Sequence, residues 1–334
     1  MPLSIYLLVL AAAALHASWN AIVKRGPDKF LGTVLVTGSA ALLSAATLPL
    51  LPLPAAHSWP WLGASVLLQV TYYGLVARCY QQVDMSLAYP LMRGSAPILV
   101  ALAGTLLGES LPAAAWLGVV LVSTGILCMA LGARGGQLRL PLLTAAMIAT
   151  YTLVDAQGAR QSGNALSYTL WLFLLSGIPL PLWALYTRRG AVLDYARQHW
   201  PLGLAGGFGT TASYAMALWA MTQVPVALVS ALRESSILFA LLISVFLLRE
   251  RIPRARWLAA ALIVGGGLAL RLAGAERANQ GWHLPVVPAA GRQPFSVTAA
   301  ASPAGRRGPA RSPSPPHPRG PVRPGSSAGG GRSR

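Results

Sequence analysis

Roughly ten stretches of about 20 mostly apolar residues follow one another along this chain of 334 residues, and each has the length a helix needs to cross the hydrocarbon core of a bilayer. They fall at 3–23, 31–53, 60–80, 87–107, 113–132, 140–158, 166–186, 200–221, 226–248 and 255–273. The gaps carry what interrupts spanning segments: KRGPDK at 24–29, LPLPAAHSWP at 51–60, GESLP at 108–112, ARGGQLR at 133–139, TRRG at 187–190 and RERIPRAR at 249–256. Lipid leaves no partner for a free backbone group, so the runs are expected to be helices joined as hairpins. The first run has no basic segment ahead of it and is read as the first span rather than a removable leader.

Composition agrees. With 54% hydrophobic and 10% charged residues, the chain has too little polar surface to coat a water-soluble globule. The formal net charge of +18 suggests a nucleic-acid partner until its location is considered. Residues 275–334 hold nine Arg and one acid, so 9 − 1 = +8 of that charge belongs to a Pro-, Gly-, Ser- and Arg-rich tail that is expected to be disordered. The other cations sit in short gaps between apolar runs, which is loop charge and not a nucleic-acid face.

The chain repeats itself. Shifted by 141 residues, positions 73–131 align with 214–272 without a gap, and 17 of the 59 positions are identical. Among them are Tyr73 with Tyr214, Gln82 with Gln223, Glu109 with Glu250, Pro112 with Pro253 and Trp116 with Trp257. A duplicated unit with an odd number of crossings enters the membrane upside down in its second copy. The expectation is therefore an all-α membrane protein with two inverted five-helix repeats, 1–132 and 133–273, around a central cavity, followed by the tail 274–334. Such repeats let one site open alternately to either side.

LHASWNAIVKRG in the first run, AYPLMRGSAPILVALAGTLLGESLP across the fourth and VALVSALRESSILFALLISVFLLRERIP across the ninth resemble the drug/metabolite transporter superfamily, EamA type, over residues 1–273. The resemblance implies a ten-helix basket around a central cavity and gradient-driven or exchange transport of small metabolites. On this reading the chain is a secondary transporter, exporter or importer, of a small polar or anionic metabolite, multi-pass in the cytoplasmic (inner) membrane. Its partners are that small molecule and membrane lipid, with no nucleic acid.

Ionisable groups at membrane depth are costly and tend to mark cavities or helix contacts. Arg93 lies well inside the fourth run and maps onto Glu234 under the shift, with Arg233 alongside. One reading has Arg93 and Arg233 holding an anionic group, a carboxylate or phosphonate, while Glu234 binds a proton or a substrate amine. The other is a structural salt bridge between the halves. Asp155, placed over Asn20 by a shift of 135, and His16, one helical turn before Asn20, are candidates for proton coupling. Asn20, Trp19, Tyr73 and Tyr214 are candidate chamber-lining residues, although aromatic residues also serve as interface anchors. Pro90 and Pro97 are expected to bend the fourth helix. GxxxG spacings at Gly104–Gly108 and Gly203–Gly207 favour close helix packing, within the bundle first and in a homodimer second.

No P-loop is present, since GGFGTT at 206–211 lacks the phosphate-cradling Lys. Cys79 and Cys128 lie in apolar runs, and no nucleophile–base pair or metal-ligand cluster is apparent; neither cofactor, metal nor catalytic residue is expected. A membrane-embedded enzyme and a non-transporting scaffold are the rival classes. Glu109 and Glu250 read as helix-end structural residues. Thirteen cations crowd the loops after odd-numbered runs, which by the positive-inside rule puts that face in the cytoplasm and the termini outside, against what the resemblance implies.

Overall fold

Every regular element among the described residues is helical. The structure is a computed structural model that describes residues 1–25, 27–130, 138–246 and 254–279. In chain order the helices are α1 (Leu3–Arg25), α2 (Lys29–Thr47), α3 (Trp59–Gln82), α4 (Met85–Leu106), α5 (Ala113–Leu127), α6 (Arg139–Gln161), α7 (Ala165–Gly177), α8 (Pro179–Gln223), α9 (Val226–Arg233), α10 (Ser236–Phe246) and α11 (Arg254–Asn279). All lie in one compact unit, Met1–Ala289. The last helix runs past the boundary expected at 273, while Glu250 and the stretch from 280 on fall outside the described residues.

Polar residues begin several helices by supplying acceptors for orphan N–H groups. Asp28 accepts from Leu31 N at 2.9 Å, Asp84 from Ser86 N at 2.8 Å and Asn164 from Ser167 N at 3.0 Å. The hydroxyl and backbone of Ser86 hold the Asp84 carboxyl below its ordinary pKa.

Among the described residues, seven segments are long and apolar enough to cross a membrane: Leu3–Ala21, Lys29–Leu50, Met85–Leu106, Ala113–Ala130, Ala165–Gln223, Val226–Val245 and Arg256–Ala273. Exposed leucines such as Leu42, Leu102, Leu106 and Leu268 give these helices apolar outer faces, as lipid requires.

Ala165–Gln223 is a bent segment that doubles back. Gly177 lies against Thr37 and Ala41, and Gly38 against Pro181, so this part of the chain runs antiparallel to α2. Gly203 meets Leu35, Gly206 meets Val36 and Gly207 meets Ser39 and Ala40, so the later part runs parallel to it. The reversal sits at the Lys29 end of α2, where Trp183 packs edge-on against Phe30 and Arg188 lies over the same ring. Arg188 (φ −141°, ψ 40°) and His199 (φ −123°, ψ 15°) carry the non-helical backbone of the bend.

Two sequence expectations change here. Pro90 and Pro97 lie inside a continuous α4, whereas the ninth run, expected to be continuous, breaks between α9 and α10 at Glu234–Ser235. There the bonds shorten to i→i+3, with Glu234 N donating to Ala231 O at 3.1 Å and Ser235 N to Leu232 O at 3.1 Å. The Ser235 hydroxyl competes for the Leu232 carbonyl at 2.6 Å. The second correction concerns glycine. Gly203 and Gly207 do make a close helix contact, but Gly104 faces the Glu109 carboxylate and Gly108 has φ +94°, so that pair serves the turn after α4.

Where α5 meets α11, glycines let the backbones touch. A Cβ on Gly118 would lie 2.6 Å from Leu270 Cγ and 3.0 Å from Gly266 O; one on Gly125 would lie 2.9 Å from Ala259 O; one on Gly266 would lie 2.6 Å from Val122 Cγ2 and 2.8 Å from Gly118 O. Gly265, one residue away, has nothing within 4 Å. Gly266→Val is therefore expected to lower the thermal midpoint of the detergent-solubilised protein by an amount equivalent to about 1–3 kcal/mol of overpacking, and Gly265→Ala to leave it in place. Equal behaviour of the two variants in a melting curve would show that the α5–α11 contact is not the tight one described.

Candidate functional site

Where α4, α6, α8 and α9 face one another, four ionisable side chains gather inside the bundle. Arg93 of α4 donates its Nε to Glu234 Oε2 at 3.0 Å, with side-chain exposures of 18% and 7%. Tyr72, Tyr89 and Tyr151 stand within electrostatic reach of the same guanidinium, and the Tyr72 and Tyr151 rings meet edge-on at 5.4 Å. The structure thus makes the salt bridge, and it commits Glu234 and one edge of Arg93 to each other.

Asp155 on α6 is fully buried. Its Oδ1 accepts from the Ser65 hydroxyl, and its Oδ2 from Gln69 Nε2 at 3.1 Å and from the Tyr214 hydroxyl. A carboxylate taken out of water needs such donors. The partners come from α3 and α8, a tyrosine of a neighbouring helix among them. Ser65 and Gln69 were missed in the sequence, although they stand one helical turn apart and Tyr73 one turn further, a polar stripe on one face of α3. Tyr73 follows in the same stripe and is 44% exposed.

Arg233 closes α9, where a cation suits the carboxyl pole of a helix. Its guanidinium lies 5.1 Å above the Tyr214 ring, so Tyr214 touches Asp155 with its hydroxyl and Arg233 with its face. Arg233 makes no hydrogen bond or ion pair among the described residues. His16 of α1 feels the charges of Arg93 and Arg233 and packs edge-on against Trp19 at 5.4 Å. Trp19 fits against Gly209, and its Nε1 is buried without a hydrogen-bond partner among the described residues. Asn20 does not join the cluster: it is exposed and turns its amide onto the His16 carbonyl at 2.8 Å.

A second ion pair lies at one end of the bundle. Glu109, in the turn after α4, accepts from Arg160 Nη2 at 2.6 Å and from Val226 N at 3.0 Å. Arg160, at the end of α6, also donates Nε to Met221 O at 2.9 Å and Nη2 to Val224 O at 3.4 Å. The carboxylate sits at the amino end of α9 and the guanidinium at the carboxyl end of α8, each at the pole that favours its charge. Sequence reading treated Glu109 as a helix-end residue; what it lacked was the spatial meeting of two residues 51 positions apart. The corresponding Glu250 lies outside the described residues.

Against known families, residues 139–272 match the EamA-like transporter family. That match over residues 139–272 is the signature of the drug/metabolite transporter superfamily. A protein solved by crystallography superposes on this chain with a TM-score of 0.61 and 20% identity, covering 81% of this chain and 96% of its own. At that identity the likeness concerns the fold. No curated protein matches the chain. The EamA domain takes in Asp155, Tyr214, Arg233 and Glu234 and, with the multiple apolar helices, makes this a multi-pass integral membrane protein.

Removing one member of a buried pair strands the other charge, at a cost of about 3–5 kcal/mol. Arg93→Ala is expected to destabilise the bundle by that order in a denaturant titration in detergent, and Arg93→Met with Glu234→Met to restore most of the loss. If the double variant is no more stable than the single one, the two groups are not energetically coupled.

Proposed function

We propose that the chain is a secondary carrier that moves a small polar metabolite across the cytoplasmic membrane by alternating access, with two inverted five-span halves, 1–132 and 133–273, enclosing the Arg93–Glu234 site. The reading rests first on length. Ala165–Gln223 has 59 residues, about three times a single span, and doubles back, so it supplies two crossings. α3 and α6, of 24 and 23 residues, are long enough to span, and the polar stripe that binds Asp155 accounts for their lower apolarity. With the six remaining segments that makes ten. The Met1 amino group reaches Arg271 O at 3.1 Å, which joins the start of α1 to the end of α11 on one side, as an even number of crossings demands.

Contact geometry supports the inversion. A residue that touches its own repeat mate lies on the axis relating the halves, and Arg93 and Glu234 are 141 positions apart, the shift of the sequence repeat. Off the axis, contacts occur in reciprocal pairs. Gly118 meets Gly266 and Gly125 meets Ala259; adding 141 to Gly118 and Gly125 gives Ala259 and Gly266, so each contact is the image of the other. The register makes α5 and α11 antiparallel, which supports an axis perpendicular to the helices, as inverted repeats in a membrane would have.

The Arg93–Glu234 contact is the observation that carries the proposal. A pair on the axis is common to both conformations of a rocking bundle, and Asp155, Tyr214, Arg233, Trp19, His16 and Tyr73 surround it. Off the axis, the Glu109–Arg160–Val226 tie links the first half to the second at one end and is a contact that opening at that end would break. Asp155 is proposed as the proton-coupling group, held by donors from two other helices.

Uptake into proteoliposomes, screened over small metabolites with and without a pH gradient and compared with protein-free vesicles, tests the carrier. Arg93→Ala and Glu234→Ala, each checked for folding, are expected to reduce uptake at least about tenfold, and Asp155→Asn to make uptake indifferent to the pH gradient. Unchanged kinetics in all three variants would remove the site, and product formation without a second compartment would replace the carrier by an enzyme.

A further inference from the structure

We infer that the transported molecule is an oxyanion, a small carboxylate or tetrahedral acid, and that Arg233 is the group that holds it. The inference deepens the carrier reading and rests on it for the word transported; the anion site stands on its own geometry.

The argument is an accounting of hydrogen-bonding capacity. Four charged side chains face the interior. Glu234 is engaged by Arg93 at 3.0 Å. Asp155 is fully buried, and three donors fill its two oxygens. Glu234 Oε2 and both oxygens of Asp155 are therefore already engaged by donors from other helices. Arg93 spends its Nε on Glu234 and is ringed by tyrosines. Arg233 alone of the four lacks a hydrogen bond or ion pair among the described residues, while being only half-buried. Tyr214 lies 5.1 Å beneath it and consumes none of its five donors.

A planar donor fork held by a ring and left open at its edge matches an oxyanion in two parallel hydrogen bonds. Two further features point the same way. α10, of 11 residues, begins at Ser236, three positions beyond Arg233, and the amino pole of a half-helix favours negative charge. Trp19 Nε1 is a second buried donor without a partner among the described residues, on the helix whose His16 feels Arg233. A cation entering this space would meet the guanidinium of Arg233, which has no ion-pair partner among the described residues, whereas an anion would find its donors uncommitted.

The test uses the full chain in detergent and in proteoliposomes, with lactate, inorganic phosphate, ethylammonium and glycerol as probes. Lactate or phosphate is expected to raise the thermal midpoint in a saturable way, and ethylammonium and glycerol to leave it unmoved. Arg233→Gln is expected to weaken anion binding at least about tenfold, the loss of one charge-assisted pair, and Arg233→Lys to weaken it less, since it keeps the charge without the fork. Size-exclusion profiles separate misfolding from lost binding, and the probe panel on the unaltered protein decides the class without any variant. Binding of ethylammonium in preference to both anions, or anion binding unchanged in a folded Arg233→Gln, overturns the proposal. Anion binding without anion flux in proteoliposomes leaves this site standing and removes the carrier reading instead.

Discussion

The cost of placing charge inside lipid governs this protein. An isolated ion there is prohibitive, so each of the four interior charges is bought down by a device drawn from another helix. Arg93 and Glu234 cancel across the two halves, Asp155 collects donors from α3 and α8, and Arg233 rests on a tyrosine face at a helix end. Because each device joins separate helices, the same groups that make the interior polar also hold α3, α4, α6, α8 and α9 in register. Polarity and packing are here one problem.

Lipid offers no hydrophobic drive for helices to associate, so close packing must supply it. The backbone approaches at Gly118, Gly125 and Gly266, and those of Gly203, Gly206 and Gly207 on α2, meet that need. At the bundle end the Glu109–Arg160 tie does something different. It satisfies carbonyls at the end of α8 and an amide at the start of α9, groups that would otherwise lose their partners where the chain turns. A tie made of orphan backbone groups and two charges is strong when closed, and water can replace every part of it when open. Glycine contacts have no such substitute.

How much of this was legible in the sequence differs by feature. Apolar runs and their interruptions located most of the helices to within a few residues, because length and hydropathy act locally; the exceptions are the gap expected at 187–190, which lies inside α8, and the ninth run, which divides into α9 and α10. Arg93 opposite Glu234 was legible too, because the 141-residue shift carries spatial information that no single run contains. Ser65 and Gln69 escaped notice, since polar residues one turn apart announce an inward face without naming what they face. Asn20 was grouped with the site by depth along its helix, but depth does not determine azimuth, and its amide turned to its own backbone. The break at Glu234–Ser235 had no Pro or Gly to mark it. It arises from i→i+3 bonding and the Ser235 hydroxyl, while the two prolines of α4, which do mark a breaker, left that helix continuous.

That last contrast bears on mechanism. If the halves are equivalent in sequence and inverted in space, a perfectly symmetric structure would be open to both sides or to neither, and a carrier would leak or stall. The proposed mechanism therefore requires equivalent elements to differ at any one moment. α4 runs unbroken through Arg93, whereas its repeat mate is divided at Glu234 into α9 and α10. The difference falls at the Arg93–Glu234 pair, so in the proposed mechanism a change of helical continuity at Glu234 would move a charge that Arg93 must follow.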